Sequence, residues 1–139
     1  MNPTPPGWPR LSPALIYQDP ASAIDFLERA FGFSTRIRVD TTDGGVAHSE
    51  LCYGDALVMA SGERLADNLR SPRSLGGAMT AGIFLYVDDV DAHCARAKAA
   101  GAEIIQELTD TDYGEGYWKD RGYGCLDPEG HRWWFAQRL

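Results

Sequence analysis

His48 and Glu50 stand two residues apart, so on a strand they share one face. An imidazole beside a carboxylate can move a proton or hydrogen-bond a polar guest. The same pair also suits a strand whose polar side meets water at a dimer edge. His93 falls within a helical pattern and His131 follows a turn, so no three metal-type donors converge by spacing. Zinc, iron or manganese needs three or four such donors, and no metal or other cofactor is expected. Cys52, Cys94 and Cys125 are widely spaced and contain no Cys-x-x-Cys pair, which argues against a disulfide framework or a zinc knuckle. Asp88, Asp89 and Asp91 suit the start of a helix better than a calcium site. Trp133 and Trp134 are neighbours, so a strand sends them to opposite faces. There is no nucleophile elbow, no H-E-x-x-H, no P-loop and no G-x-G-x-x-G.

Composition narrows the partners. The 139 residues carry 20 acidic and 13 basic side chains, a formal net charge of −7. Only Lys98 and Lys119 are lysines, so neither nucleic acid nor an anionic membrane is the expected partner. No apolar run approaches the ~20 residues that span a bilayer. Met1 to Arg10 lacks the basic and apolar blocks of a secretory signal. With the unpaired cysteines, this gives a cytoplasmic expectation.

The elements that position these residues come in two similar runs. Residues 1–9, with four prolines, form an extended arm in which Trp8 is either an anchor or a loop residue. The arm is long enough to reach a partner chain. The first module covers 10–60. Its pattern predicts a strand over Leu11–Gln18 and a helix over Pro20–Phe31. That helix is opened by Asp19-Pro20 and closed by Gly32. Strands follow over Thr35–Asp40, Val46–Tyr53 and Ala56–Ala60. Residues 61–78 read as a linker with a helical turn near Arg64–Leu69. The second module, 79–139, repeats the order. Thr80–Val87 is a strand, and a helix capped by Asp88 or Asp89 buries Val90, Cys94 and Ala97. Strands then fall over Glu103–Glu107, Arg121–Leu126 and His131–Arg138. Thr109–Trp118 reads as a polar loop, a lid over a ligand or a dimer contact. Asp120-Arg121 reads as a structural ion pair, with a substrate clamp as the alternative. The repeat shows at an offset of 69: Tyr17 matches Tyr86, Ala23 matches Ala92, Ala30 matches Ala99 and Gly32 matches Gly101. The fold class is α+β, two βαβββ modules whose half-open mixed sheets enclose a cleft.

The stretches Ala23–Phe33, Gly54–Met59, Asp88–Ala92 and Asp127–Trp133 make the chain resemble the vicinal oxygen chelate superfamily. That superfamily includes glyoxalases, bleomycin-resistance proteins and extradiol dioxygenases, and the likeness is strongest to its PhnB-like or glyoxalase-like subgroup. The resemblance implies a homodimer. It also implies that four strands each lend one metal ligand in the enzymes, at positions that fall here on Ser12, Glu50, Gly82 and Trp134. Only Glu50 is a good ligand. On this carry-over Trp134 faces the cleft, Trp133 fills the core, and Phe84 shares the face of Gly82. Two readings follow. The first is a metal-independent protein of the bleomycin-resistance type. It would hold an aromatic or cationic compound between Phe84, Trp118 and Trp134, with His48 and Glu50 as polar contacts. The second is a metal-dependent glyoxalase-like lyase, isomerase or dioxygenase, in which His48 and Glu50 are the catalytic candidates.

Overall fold

A computed structural model describes the chain from Met1 to Leu139. Asp19 accepts from the Ser22 amide and Pro20 opens helix α1, Pro20–Phe31. Gly32 closes it at φ 80°, a left-handed backbone that disfavours side chains. Around α1 lie strands β1 (Ala14–Tyr17), β2 (Ser34–Asp40), β3 (Val46–Tyr53) and β4 (Ala56–Gly62). They hydrogen-bond in the order β1-β4-β3-β2, with β1 parallel to β4. The second half repeats this with β5 (Ile83–Tyr86), helix α2 (Val90–Ala99), β6 (Glu103–Asp112), β7 (Lys119–Leu126) and β8 (Arg132–Arg138). Its order is β5-β8-β7-β6, with β5 parallel to β8. Asp89, rather than Asp88, caps α2 by accepting from the Ala92 amide.

Two sequence expectations change. The first four residues of the expected polar loop at 109–118 are strand, because Thr109 to Asp112 pair with Gly122 to Lys119. Polar residues can hold a ladder wherever both faces meet water, and alternation of hydrophobicity then gives no sign of it. Arg121 does not pair with its neighbour Asp120. It pairs instead with Asp91 on α2 and Asp110 on β6, at 2.9 and 2.8 Å, since strand alternation puts 120 and 121 on opposite faces. The linker carries the expected turn as a 3-10 helix, Leu65–Asp67, and a second one over Pro72–Leu75.

The helix-covered faces of the two sheets share one core. Leu51, Val58 and Ala60 from the first sheet and Tyr123, Cys125, Trp133 and Phe135 from the second belong to a single buried cluster. Phe31, at the end of α1, packs on Trp133 and Phe135 with ring centroids 5.1 and 4.8 Å away. Arg96 of α2 donates to the Glu28 and Arg29 carbonyls, placing a cation at the C-terminus of α1. His93 bridges the halves: Nε2 meets the Phe31 carbonyl at 3.0 Å and Nδ1 meets the Tyr123 hydroxyl at 2.8 Å. A neutral ring protonated on Nε2 satisfies both, with the phenol donating to Nδ1.

The turn Asp127–Gly130 ties the modules most firmly. Asp127 Oδ2 accepts from the Tyr17 hydroxyl at 2.8 Å and from Trp133 Nε1 at 3.2 Å. Its Oδ1 takes the amides of Glu129 and His131. Glu129 accepts from the amides of Gln18 and Asp19 and from Ser71 Oγ. His131 closes the set with Nε2 on the Ile16 carbonyl at 2.7 Å.

Asp127→Ala leaves four donors unpaired, two of them on large buried rings. It is expected to cost about 3–5 kcal/mol, read as a lower urea midpoint. Replacing the exposed Lys98 is expected to leave that midpoint where it is. Burial lowers the His93 pKa from its ordinary 6.5, so the fold prefers the neutral ring. Its contribution is whole above about pH 6.5 and is lost as pH falls through the lower folded value. His93→Gln should flatten that part of the stability–pH curve, as measured by urea titration at a series of pH values.

Candidate functional site

With the helix-covered faces buried together, the other face of each sheet is left open. The two open faces differ in chemistry.

On the first, β3 presents His48 and Glu50 together, their side chains 3.0 Å apart. Glu50 is only 5 % exposed and also lies 3.2 Å from Arg36 Nε on β2. That arginine donates onward to the Gly7 carbonyl, and its guanidinium sits 6.0 Å from the Trp8 ring. The proline-rich arm therefore folds back along its own sheet, with Trp8 half-buried as the anchor. Glu50 is already matched by a cation.

On the second face, the floor is made of very small residues. Gly122 and Gly124 on β7 stand opposite Ala136 and Trp134 on β8. Trp134 lies flat on the gap left at Gly124, where a Cβ would overlap its six-membered ring. A Cβ on Gly122 would meet the Phe135 carbonyl at 2.8 Å. The result is a basin of about 370 Å³ whose walls include Phe84, Tyr113, Trp134, Thr111 and Asp120. Trp133 points the other way and is fully buried. Phe84 and Tyr86 are 55 % and 46 % exposed, with ring centroids 5.3 Å apart.

The five residues singled out from the sequence thus fall into three places. Phe84 and Trp134 share the basin. Trp118 stands beside it, at the hairpin tip between β6 and β7, and lines an adjoining groove with Tyr86 and Arg138. His48 and Glu50 belong to the other sheet and line neither. Asp120 and the glycine floor escaped the sequence reading, and Tyr113 entered it only as part of the loop read as a lid or a dimer contact. Strand alternation, applied to Asp120-Arg121 as it was to Trp133-Trp134, would have placed Asp120 on the open face.

The four positions that hold a metal in the superfamily's enzymes fit none here. Ser12 Oγ is buried without a hydrogen-bond partner, and Glu50 Oε2 faces Arg36 Nε at 3.2 Å. Gly82 offers no side chain, Trp134 is stacked on the floor, and a guanidinium already stands at Glu50. No three His, Cys, Asp or Glu side chains group to hold an ion. Thiol chemistry has no starting point in the core either. Burial raises the Cys94 pKa and pushes Cys125 up to about 12.

The fold and these positions place the chain among known proteins. The family model described as Glyoxalase/Bleomycin resistance protein/Dioxygenase superfamily matches residues 11–135. The chain belongs to this family, the vicinal oxygen chelate superfamily. It is 39 % identical over 133 residues to uncharacterized proteins of Mycobacterium bovis and Mycobacterium tuberculosis. Those matches cover 93 % of this chain and 83 % and 74 % of theirs. The crystal structure of TioX from Micromonospora sp. ML1 superposes with a TM-score of 0.70 at 34 % identity, covering 93 % of this chain and 98 % of that one. The fosfomycin resistance protein FosX of Listeria monocytogenes shares the fold, with a TM-score of 0.61 at 16 % identity over 91 % and 90 % of the chains.

Trp133→Ala is expected to destabilise by about 3–5 kcal/mol, as a fully buried indole tied to Asp127. Trp134→Ala, half-exposed on glycine, should cost clearly less. Urea unfolding of the two variants side by side measures the difference.

Proposed function

We propose that this chain is a metal-independent binding protein for a flat aromatic organic molecule, of the bleomycin-resistance type. The observation that carries the reading is the indole of Trp134 laid flat over Gly124 in an open basin. An aromatic wall with a few polar groups is what a planar guest needs, and offset stacking adds roughly 0.5–1.5 kcal/mol beyond area burial. The small floor residues leave depth for the guest. The donor-poor metal positions support binding without a metal. His48 and Glu50 are assigned to the first open face, where Arg36 answers the carboxylate.

The working form is a homodimer. One chain presents its two open faces separately, and the second is rich in exposed rings: Phe84, Tyr86, Tyr117 and Trp118. A second copy laying its first open face over this one would complete a cleft and cover those rings. No helix in the chain is long and apolar enough to cross a membrane. The protein is assigned to the cytoplasm.

Calorimetric titration with acridine, on protein stripped with a chelator, tests the reading. Wild type should bind, and Trp134→Ala should weaken binding ten-fold or more. Binding that appears only after one equivalent of a divalent metal is restored would contradict it. Light scattering should return about twice the 15.3 kDa chain mass.

A further inference from the structure

We propose that Asp120 is the anchor of the aromatic basin and selects flat ligands that carry a cationic N–H group, such as a protonated aminoheterocycle. This rests on the reading of the basin as a site for planar rings, and it names which of them bind.

Asp120 is the second residue of β7, on the open face, and is only 3 % exposed. One carboxylate oxygen, Oδ2, accepts from the Tyr86 hydroxyl at 2.8 Å and from Trp118 Nε1 at 3.3 Å. The other, Oδ1, is buried with no hydrogen-bond partner. A buried acceptor left unmatched is costly, and a carboxylate more so. The surrounding cations are committed elsewhere. Lys119 pairs with Asp112 at 2.9 Å, and Arg121 points to the helix side with Asp91 and Asp110. Arg138 stands opposite Asp120 across the ladder, yet its guanidinium stacks on the Trp118 ring, 5.2 Å from the centroid, and forms no ion pair with Asp120. This contrasts with Glu50 on the first open face, where Arg36 supplies the positive charge within the chain. At Asp120 the matching charge has to come from outside.

The geometry suits one guest that reaches both features. Asp120 and Trp134 line the same basin, and Gly122 and Ala136 make the floor between them. Asp120 lies four residues along β7 from Gly124, about 13 Å at ~3.3 Å per residue. A fused tricycle stacked on Trp134 spans most of that length and brings an amino group at its end to the carboxylate. Trp118 sits beside the carboxylate and donates to Oδ2 alone, over a long bond, from a hairpin tip whose neighbour Tyr117 is 70 % exposed, so an incoming N–H can displace the indole and pair with Oδ1.

The experiment compares proflavine, cationic with terminal amino groups at neutral pH, with acridine, the same tricycle uncharged, by calorimetric titration. Wild type should bind proflavine at least ten-fold more tightly than acridine. Asp120→Asn keeps the shape and removes the charge, and should bring the ratio close to one while acridine affinity stays within two-fold. Because Asp120 is buried, a second variant guards against misfolding. Trp118→Phe removes the competing indole donor and keeps a ring under Arg138. It should raise the ratio of proflavine to acridine affinity two- to five-fold. If both probes bind wild type equally, and Trp134→Ala weakens both, the basin reading stands and the Asp120 anchor fails. If the proflavine preference survives in Asp120→Asn, or both probes shift together in Trp118→Phe, the anchor also fails. If neither probe binds wild type, both readings fail.

Discussion

Asp127 and Glu129 reach out of one turn in the second module and take hydrogen bonds from the strand–helix junction of the first: the Tyr17 hydroxyl and the Gln18 and Asp19 amides. Buried carboxylates are tolerable only when donors surround them. These two are surrounded only when β1 and the start of α1 stand in one place relative to β8. The tether fixes the modules so that Phe31 reaches the Trp133 and Phe135 rings and His93 reaches the Phe31 carbonyl. Once the helix-covered faces are joined, the opposite faces have nowhere to go but outward. The open basin follows from how the core is closed.

The two modules repeat one plan and use it differently. In the first, the open face is neutralised within the chain by His48, Glu50 and Arg36, with the arm held against Arg36 through Gly7 and Trp8. In the second, glycine at 122 and 124 removes side-chain bulk from the sheet, and a tryptophan lies down in the space. A strand interior gains little from glycine and loses packing. Two glycines in alternate positions of β7 therefore weaken the strand locally and give in return a hollow lined by rings. That exchange makes sense where something else completes the surface.

Much of the fold was legible because its signals are local. Asp19-Pro20 and Gly32 bound α1 by capping chemistry, and the turns Asp43-Gly44-Gly45 and Gly54-Asp55 bound Val46–Tyr53, which matches β3 to the residue. Trp133 and Trp134 were separated by alternation alone, and the structure has one fully buried and the other on the basin floor. The far half of β6 was missed because Thr109–Asp112 is polar on both sides and is held by its ladder to β7. Asp120 was missed because its neighbour Arg121 offered an easy partner. The role of the Asp127–Gly130 turn was also hidden. Its partners sit about 110 positions earlier in the chain, and nothing local in the sequence says that they meet.

The central claim is that planar molecules enter on the second open face and nowhere else. The four tryptophans report on four different places: Trp8 on the arm, Trp118 on the hairpin tip, Trp133 in the core and Trp134 on the basin floor. Nitrogen-15 labelling of their indoles gives four resolved proton–nitrogen signals in one spectrum. On addition of acridine, the account predicts that the Trp134 signal moves most, Trp118 moves with it, and Trp133 stays in place. A spectrum in which Trp8 moves while Trp134 is still would put the ligand on the face of His48 and Glu50 and contradict the account.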